Sequence, residues 1–189
     1  MRSSASTRSP PEQPIRLYVL VVGDDHPRAC TGRRLLRLGL AQPASRGPAS
    51  AGPILLDPYA PLPLSGADRT QANGGGLLAI DCSWNRLSDR RARFGAGGAA
   101  TGRTVRRRLP MLLAANPQHY GRLGELNTVE ALAAALAVLG RRKEAETLVR
   151  GFAGGRAFLS VNAERLDRYT AADSAQAIAE AERAAFVAV

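Results

Sequence analysis

Three short stretches hold the residue types that could do chemistry. The first is the turn Asp25-His26-Pro27-Arg28-Ala29-Cys30-Thr31-Gly32. The second is Asp81-Cys82-Ser83-Trp84. The third is Leu109-Pro110-Met111-Leu112-Leu113-Ala114-Ala115-Asn116-Pro117 with Tyr120-Gly121, running on into Leu126-Asn127-Thr128-Val129-Glu130-Ala131. Several familiar chemistries are absent. There is no G-x-x-x-x-G-K-[ST] and no G-x-G-x-x-G, and Gly74–Gly76 precede a strand, whereas a phosphate loop follows one. His26 and His119 are too far apart in sequence for a local metal motif and read as loop or surface histidines. Cys30 and Cys82 have no C-x-x-C or H-x-E companion and read as small buried residues, so no metal is expected.

The elements that must position these stretches follow from periodicity. Ile15 to Val22 (IRLYVLVV) is apolar on both faces and rich in β-branched residues, as a strand inside a parallel sheet must be. Thr31 is placed to cap a short helix carrying Leu35, Leu36 and Leu38 and ended by Gly39. A loop, Gln42–Pro53, leads to a strand at Ile54–Leu56. A turn-rich segment with Pro58, Pro61 and Pro63 leads to a third strand, Leu77–Cys82. Strands separated by helices or long crossovers predict a parallel α/β sheet. Ligands bind such sheets beyond the carboxyl ends of the strands, where the first two stretches fall.

After a Gly/Ala-rich loop, Phe94–Gly102, the pattern turns helical. Asn127 and Glu130 form a capping-box pair, Leu132, Leu136 and Leu139 follow at helical spacing, and Gly140 ends the run. A second helix carries Ala145, Leu148, Val149 and Phe152, and a third runs through Phe158, Leu159, Asn162, Leu166 and Tyr169. The last begins after Asp173 and carries Ile178 and Phe186. The expected organisation is a disordered tail at 1–14, an α/β domain at 15–108 and a helical domain at 109–189. The third stretch lies at the entrance of the helical domain and completes a cleft between the two, where a small cofactor is expected.

Charge points to the partner. The 189 residues carry a net charge of +10, with 25 Arg against the single Lys143. Residues 1–108 hold the whole excess, 17 basic against 7 acidic, while 109–189 hold 9 of each. Arg86, Arg90, Arg91, Arg93, Arg103, Arg106, Arg107 and Arg108 are opposed locally by Asp89 alone. Guanidinium grips phosphate bidentately, so this cluster predicts affinity for a nucleic acid with little base specificity. No run approaches the ~18 to 20 apolar residues of a membrane-spanning helix, and the tail has no signal-peptide core. With two cysteines and no disulfide framework, a soluble protein of the reducing cytoplasm, without membrane contact, is expected.

The motifs taken together resemble a known family. D-C-S-W at 81–84, L-P-x-L-x-A-A-N-P-x-x-Y-G from Leu109 and L-x-T-V-E-A from Leu126 resemble the small-subunit rRNA aminocarboxypropyltransferases. C-T-G-x-x-L from Cys30, L-S-x-x-D-R from Leu64 and G-F-x-G-G-x-x-F-L-x-x-N from Gly151 extend the resemblance over about Asp25 to Tyr169. It implies an α/β domain with a SPOUT-like trefoil knot followed by an all-helical domain. It also implies S-adenosyl-L-methionine as substrate, and small-subunit rRNA or a pre-ribosomal subunit as partner, met by a monomer. The reaction would move the 3-amino-3-carboxypropyl group to N3 of a hypermodified uridine and release methylthioadenosine. Two departures stand out. The family turn D-P-K-K-C is here His26-Pro27-Arg28-Ala29-Cys30, and the stretch between Trp84 and Leu109 is longer than usual.

The resemblance places Thr31, Trp84, Leu109, Asn116 and Thr128 around the cofactor. Thr128, in the first turn of a helix, would face the methionine carboxylate, which free N–H groups and the helix dipole favour. Asp81, at a strand end, would either orient the ribose or accept the N3 proton as the catalytic base. Arg28, Arg33, Arg34, Arg106, Arg107 and Arg108 would meet RNA phosphates. Two other readings fit parts of the same pattern: a SPOUT-type RNA methyltransferase, and a non-catalytic assembly factor that grips pre-rRNA with its arginines.

Overall fold

In a computed structural model of the chain, the structure describes residues 13–22, 30–46, 52–84 and 104–186. Residues 1–12 of the expected 1–14 tail, Arg28, the 86–103 arginines and the Phe94–Gly102 loop lie outside the described residues. Five strands form one wholly parallel sheet in the order β2-β1-β4-β3-β5. They are β1 Leu17–Val21, β2 Gln42–Pro43, β3 Ile54–Leu56, β4 Leu77–Asp81 and β5 Val105–Arg107. Seven helices are described: α1 Thr31–Arg37, α2 Arg69–Gly75, α3 Thr128–Val138, α4 Arg142–Val149, α5 Gly155–Val161, α6 Ala163–Ala171 and α7 Ala175–Phe186. Among the described residues no helix is long and apolar enough to cross a membrane.

The central pair is β1 with β4, registered from Leu17 opposite Leu77 to Val21 opposite Asp81. Alternation sends Val19, Leu77, Ala79, Ile54 and Leu56 to the face packed by helices, and Tyr18, Leu55 and Leu78 to a smaller cluster on the other face. Helix α3 is apolar all round, because it is buried all round: Val129 and the run Leu132–Val138 are at most 1% exposed. It packs on α4, α6, α1 and β4, so the expected α/β and helical domains share one continuous hydrophobic core.

Several expectations are corrected. The helix at Thr31 is capped by Cys30, whose Sγ accepts the Arg33 N–H at 3.3 Å. The Gln42–Pro53 loop begins with strand β2, and the turn-rich segment after Pro63 contains α2. The third helix is two helices. Asn162, fully buried, separates α5 from α6 by accepting the Leu113 N–H at 2.9 Å and donating to the Leu113 and Phe158 carbonyls. An amide that reaches sideways to a neighbouring segment serves that segment better than it serves a continuous helix.

Arg106, Arg107 and Arg108 are the arginines of this stretch expected to meet RNA phosphates. They form and follow the edge strand β5, and each is engaged by a carboxylate. Arg106 bonds Asp57, Arg107 Nε meets Asp68 at 3.0 Å, and Arg108 holds Glu182 of α7 in a fork of two 2.8 Å bonds. Asp57 and Asp68 are only 4% and 6% exposed. Buried carboxylates demand a partner, and these arginines supply it.

Candidate active site

The carboxyl end of β4 meets the first turns of α1 and α3, and Asp81 sits where the three converge. Its side chain is buried and takes hydrogen bonds from the starts of both helices. Oδ2 accepts the Gly32 N–H at 2.9 Å and the Cys30 thiol at 2.6 Å, and Oδ1 accepts the Thr128 hydroxyl at 2.7 Å. Burial, with the hydrogen bond to Asp81 adding to it, pushes the Cys30 thiol up to about 11, so it stays protonated as a donor at neutral pH. Gly32 is obligatory here, since a Cβ would stand 2.7 Å from Asp81 Cβ. A carboxylate has about four acceptor positions. Three are filled by the protein, and one remains for a ligand.

A second buried carboxylate braces the opposite wall. Glu130 closes the capping box of α3 with Asn127, accepting the Asn127 N–H at 2.9 Å. The same side chain accepts the Ala115 N–H at 2.9 Å and the Asn116 amide at 2.7 Å. The capping box foreseen from spacing therefore also fixes the Leu109–Asn116 segment to α3. Asn116 in turn accepts the His119 N–H at 3.0 Å, so its amide organises the wall. Gly154 (φ +76°) lies so close beneath Ala115 that a side chain there would strike the Ala115 carbonyl. Trp84 donates its indole N–H to the Leu126 carbonyl at 2.9 Å, tying the segment after β4 to the one before α3.

Between the walls lies a cleft of about 1240 Å³. Typical small-ligand pockets span roughly 300–1,000 Å³, so there is room for a nucleoside-sized substrate together with part of an acceptor. Thr31, Asp81, Trp84, Leu109, Asn116 and Thr128 all line it. Of the expected RNA residues, Arg34 and Arg108 line it too. Arg34 reaches across to the Gly151 carbonyl at 2.9 Å and lies 4.9 Å over the Phe152 ring. Arg33 is exposed on α1. Glu182, His119 and Glu125 also reach the cleft. The sequence reading did not place them there, because nothing local in α7 or the 117–125 loop marks which side faces a pocket.

Comparisons with known proteins converge on one group. Residues 54–186 match the family "Ribosome biogenesis protein, C-terminal". The chain is 41% identical to a 16S rRNA aminocarboxypropyltransferase of Vulcanisaeta distributa, covering 84% of this chain and 83% of that one. It is 42% identical to the enzyme of the same description from Halobacterium salinarum, covering 87% and 93%. Its fold matches the structure of the SAM-dependent rRNA:acp-transferase Tsr3 from Vulcanisaeta distributa. There the TM-score is 0.75 and the identity 35%, over 90% of this chain and 97% of that one.

Proposed function

The chain belongs to the small-subunit rRNA aminocarboxypropyltransferase family, and from that premise we propose its reaction and the roles of its cleft. The protein takes S-adenosyl-L-methionine as substrate and transfers the 3-amino-3-carboxypropyl group to N3 of a hypermodified uridine in small-subunit rRNA. Methylthioadenosine leaves. The observation that carries this reading is the convergence of Thr31, Asp81, Trp84, Leu109 and Thr128 on one cleft, within a chain of that family.

Each residue has a task. The fourth acceptor position of Asp81 suits a ribose hydroxyl, and the donors on its other positions hold the carboxylate still. Trp84 and Leu109 give adenine an apolar slot. Asn127 caps the Glu130 N–H; the Thr128 and Val129 N–H groups, which have no acceptor within the helix, face the methionine carboxylate. The sulfonium activates three carbons, and the nucleophile attacks whichever one the cleft presents in line. Presenting the methionine Cγ gives aminocarboxypropyl transfer; presenting the methyl gives methylation. The sulfonium is its own electrophile, so the reading invokes no metal.

The reading extends to the partner and setting: a monomer that meets small-subunit rRNA or a pre-ribosomal subunit in the cytoplasm. Arg33 on α1 and the Arg34 beside the cleft contact phosphate. The 15–108 and 109–189 divisions supply one wall of the cleft each, and the SPOUT-like knot goes with the all-parallel sheet, which supports it as far as the strands. Incubating the protein with S-adenosyl-L-methionine and its rRNA tests the reaction. Methylthioadenosine and an aminocarboxypropylated nucleoside by mass spectrometry are expected. S-adenosylhomocysteine and a methylated nucleoside would overturn it in favour of a methyltransferase. A protein that binds rRNA and no S-adenosyl-L-methionine would be an assembly factor.

A further inference from the structure

The loop between Asn116 and α3 carries His119 and Glu125, which the roles above leave unused. His119 Nδ1 is hydrogen-bonded to Glu125 Oε2, and Arg122 Nη1 donates to the same carboxylate at 3.1 Å. Desolvation pushes the Glu125 carboxyl up, but the hydrogen bonds from Arg122 and His119 outweigh it and hold the group below the usual carboxylate range. An ionised carboxylate only accepts, so Nδ1 carries the hydrogen. In the neutral imidazole Nε2 is then an unprotonated acceptor. His119 and Glu125 both line the cleft that holds Asp81 and Trp84, and the His119 side chain is 22% exposed.

The imidazole is held at a defined place. The His119 N–H donates to Asn116 Oδ1, and the His119 carbonyl accepts the Arg122 N–H at 2.9 Å. The Gly121 and Gly124 N–H groups bond the Ala114 and Leu112 carbonyls at 2.8 Å, and Asn116 is itself fixed to Glu130. The mouth of the cleft is thus tied to the carboxylate that caps α3. Leu123 and Met111, each 38% exposed, line the same cleft and give it an apolar rim on which a nucleobase can lie.

We infer that His119 Nε2 accepts the imide proton of the target uridine, with Glu125 holding the imidazole in the required tautomer. This inference rests on the aminocarboxypropyl-transfer reading. In the step, the N3–H bond breaks toward Nε2 as the N3 pair forms a bond to the methionine Cγ. The Cγ–S bond breaks with its pair going to sulfur, which leaves as neutral methylthioadenosine. The imidazolium, stabilised by Glu125, returns its proton to solvent. Asp81 also lines the cleft, and three of its four acceptor positions are already filled. The remaining charged groups facing the cleft are Asp57, Arg34, Arg108, Glu182 and Arg183. Asp57 is paired with Arg106, and Glu182 with Arg108.

The test is single-turnover transfer to an rRNA fragment from about pH 5.5 to 9.5. Wild type, His119→Gln, His119→Ala and Glu125→Gln are compared, with S-adenosyl-L-methionine affinity measured for each. Wild-type rate should fall on the acid side as the imidazole protonates. Both His119 variants should be roughly 10²-fold slower at neutral pH and lose that acid limb, with cofactor affinity within about threefold of wild type. Their deficit should shrink at alkaline pH as the imide ionises unaided, and added imidazole should partly restore His119→Ala. Glu125→Gln should shift the acid limb to lower pH with a smaller loss of rate. Wild-type rate and pH profile in the His119 variants, with methylthioadenosine still released, would overturn the role of His119 alone. Absence of methylthioadenosine from wild type would instead overturn the parent reading.

Discussion

The node at the end of β4 and the arginines of β5 both bury charge in one sheet, by opposite means. Asp81 is surrounded by neutral donors, a thiol, an amide and a hydroxyl. Along β5 every guanidinium meets a full carboxylate. Neutral donors hold the Asp81 carboxylate without cancelling its charge, so one polar position stays available to a ligand. The β5 pairs cancel charge and tie distant segments together: β3 through Asp57, the turn before α2 through Asp68 and α7 through Glu182. Charge density along a sequence therefore does not tell a ligand from a staple. What surrounds the charge tells them apart.

The sharpest way to break that contrast is Asp81→Asn. The amide sets its NH2 against donors from α1 or α3 and leaves at least one of them buried and unsatisfied. We expect S-adenosyl-L-methionine affinity to fall, transfer to slow by ~10²-fold or more, and stability to drop by about 2–3 kcal/mol, since bonds to a charged acceptor are the strong ones. Calorimetry, turnover and thermal melts read the three effects. The pH dependence of transfer should keep its wild-type shape if Asp81 orients the ribose. Loss that shrinks at high pH would make it the base.

The β5 pairs should respond in stability first. Arg107→Met leaves Asp68 buried beside an apolar chain and should cost about 2 kcal/mol in urea unfolding. Adding Asp68→Asn should recover part of it, because the uncompensated charge is gone. If Arg107 contacts phosphate as well, the log–log salt slope of rRNA binding will also fall by roughly 0.7 to 0.9. An unchanged slope with lowered stability identifies a staple. Arg33, exposed on α1, should show the reverse pattern.

Trp84→Ala probes the cleft without touching either charge system. Losing the ring and the indole bond to Leu126 should weaken S-adenosyl-L-methionine by ~10- to 30-fold, about 2 kcal/mol, with rRNA affinity unchanged. Wild-type affinity in the folded variant would remove Trp84 from the site.

The smallest effect is alkaline. Burial pushes the Cys30 thiol up to about 11 and the Tyr169 hydroxyl up to about 12. Both groups then bind protons more tightly folded than unfolded, so their contribution is complete below about pH 9 and is lost as pH rises toward 11 and 12. Stability should decline by on the order of 1 kcal/mol between about pH 9 and 11 in chemical denaturation, and Cys30→Ala should flatten that interval.

Much of the site was readable because its signals are local. Asp81, Trp84 and Thr128 lie at a strand end, just after it and in a helix first turn, and those positions follow from periodicity and capping. The five expected cofactor residues and Asp81 all line one cleft. What escaped was set by long-range partners. Strand β5 reads VRR, with one β-branched residue, and is a strand because β3 offers it a parallel edge and Asp57 and Asp68 await its arginines. Helix α2 reads RTQANGG, poor in helix formers, and starts from the Ser65/Asp68 box on which it stands. Asn162 breaks a helical pattern for the sake of Leu113.

The sequence by itself determined the buried runs of β1 and β4, the Asn127–Glu130 start of α3 and the apolar surface of that helix. Each of these is fixed by interactions within a few residues, whose geometry the backbone imposes. Only the tertiary structure decided that β4 pairs with β1 and β3, that α1 and α3 aim their first turns at one carboxylate, and that Arg108 closes on Glu182, 74 residues away. A buried charge is stable only beside its partner, and that partner is supplied by the fold of the whole chain.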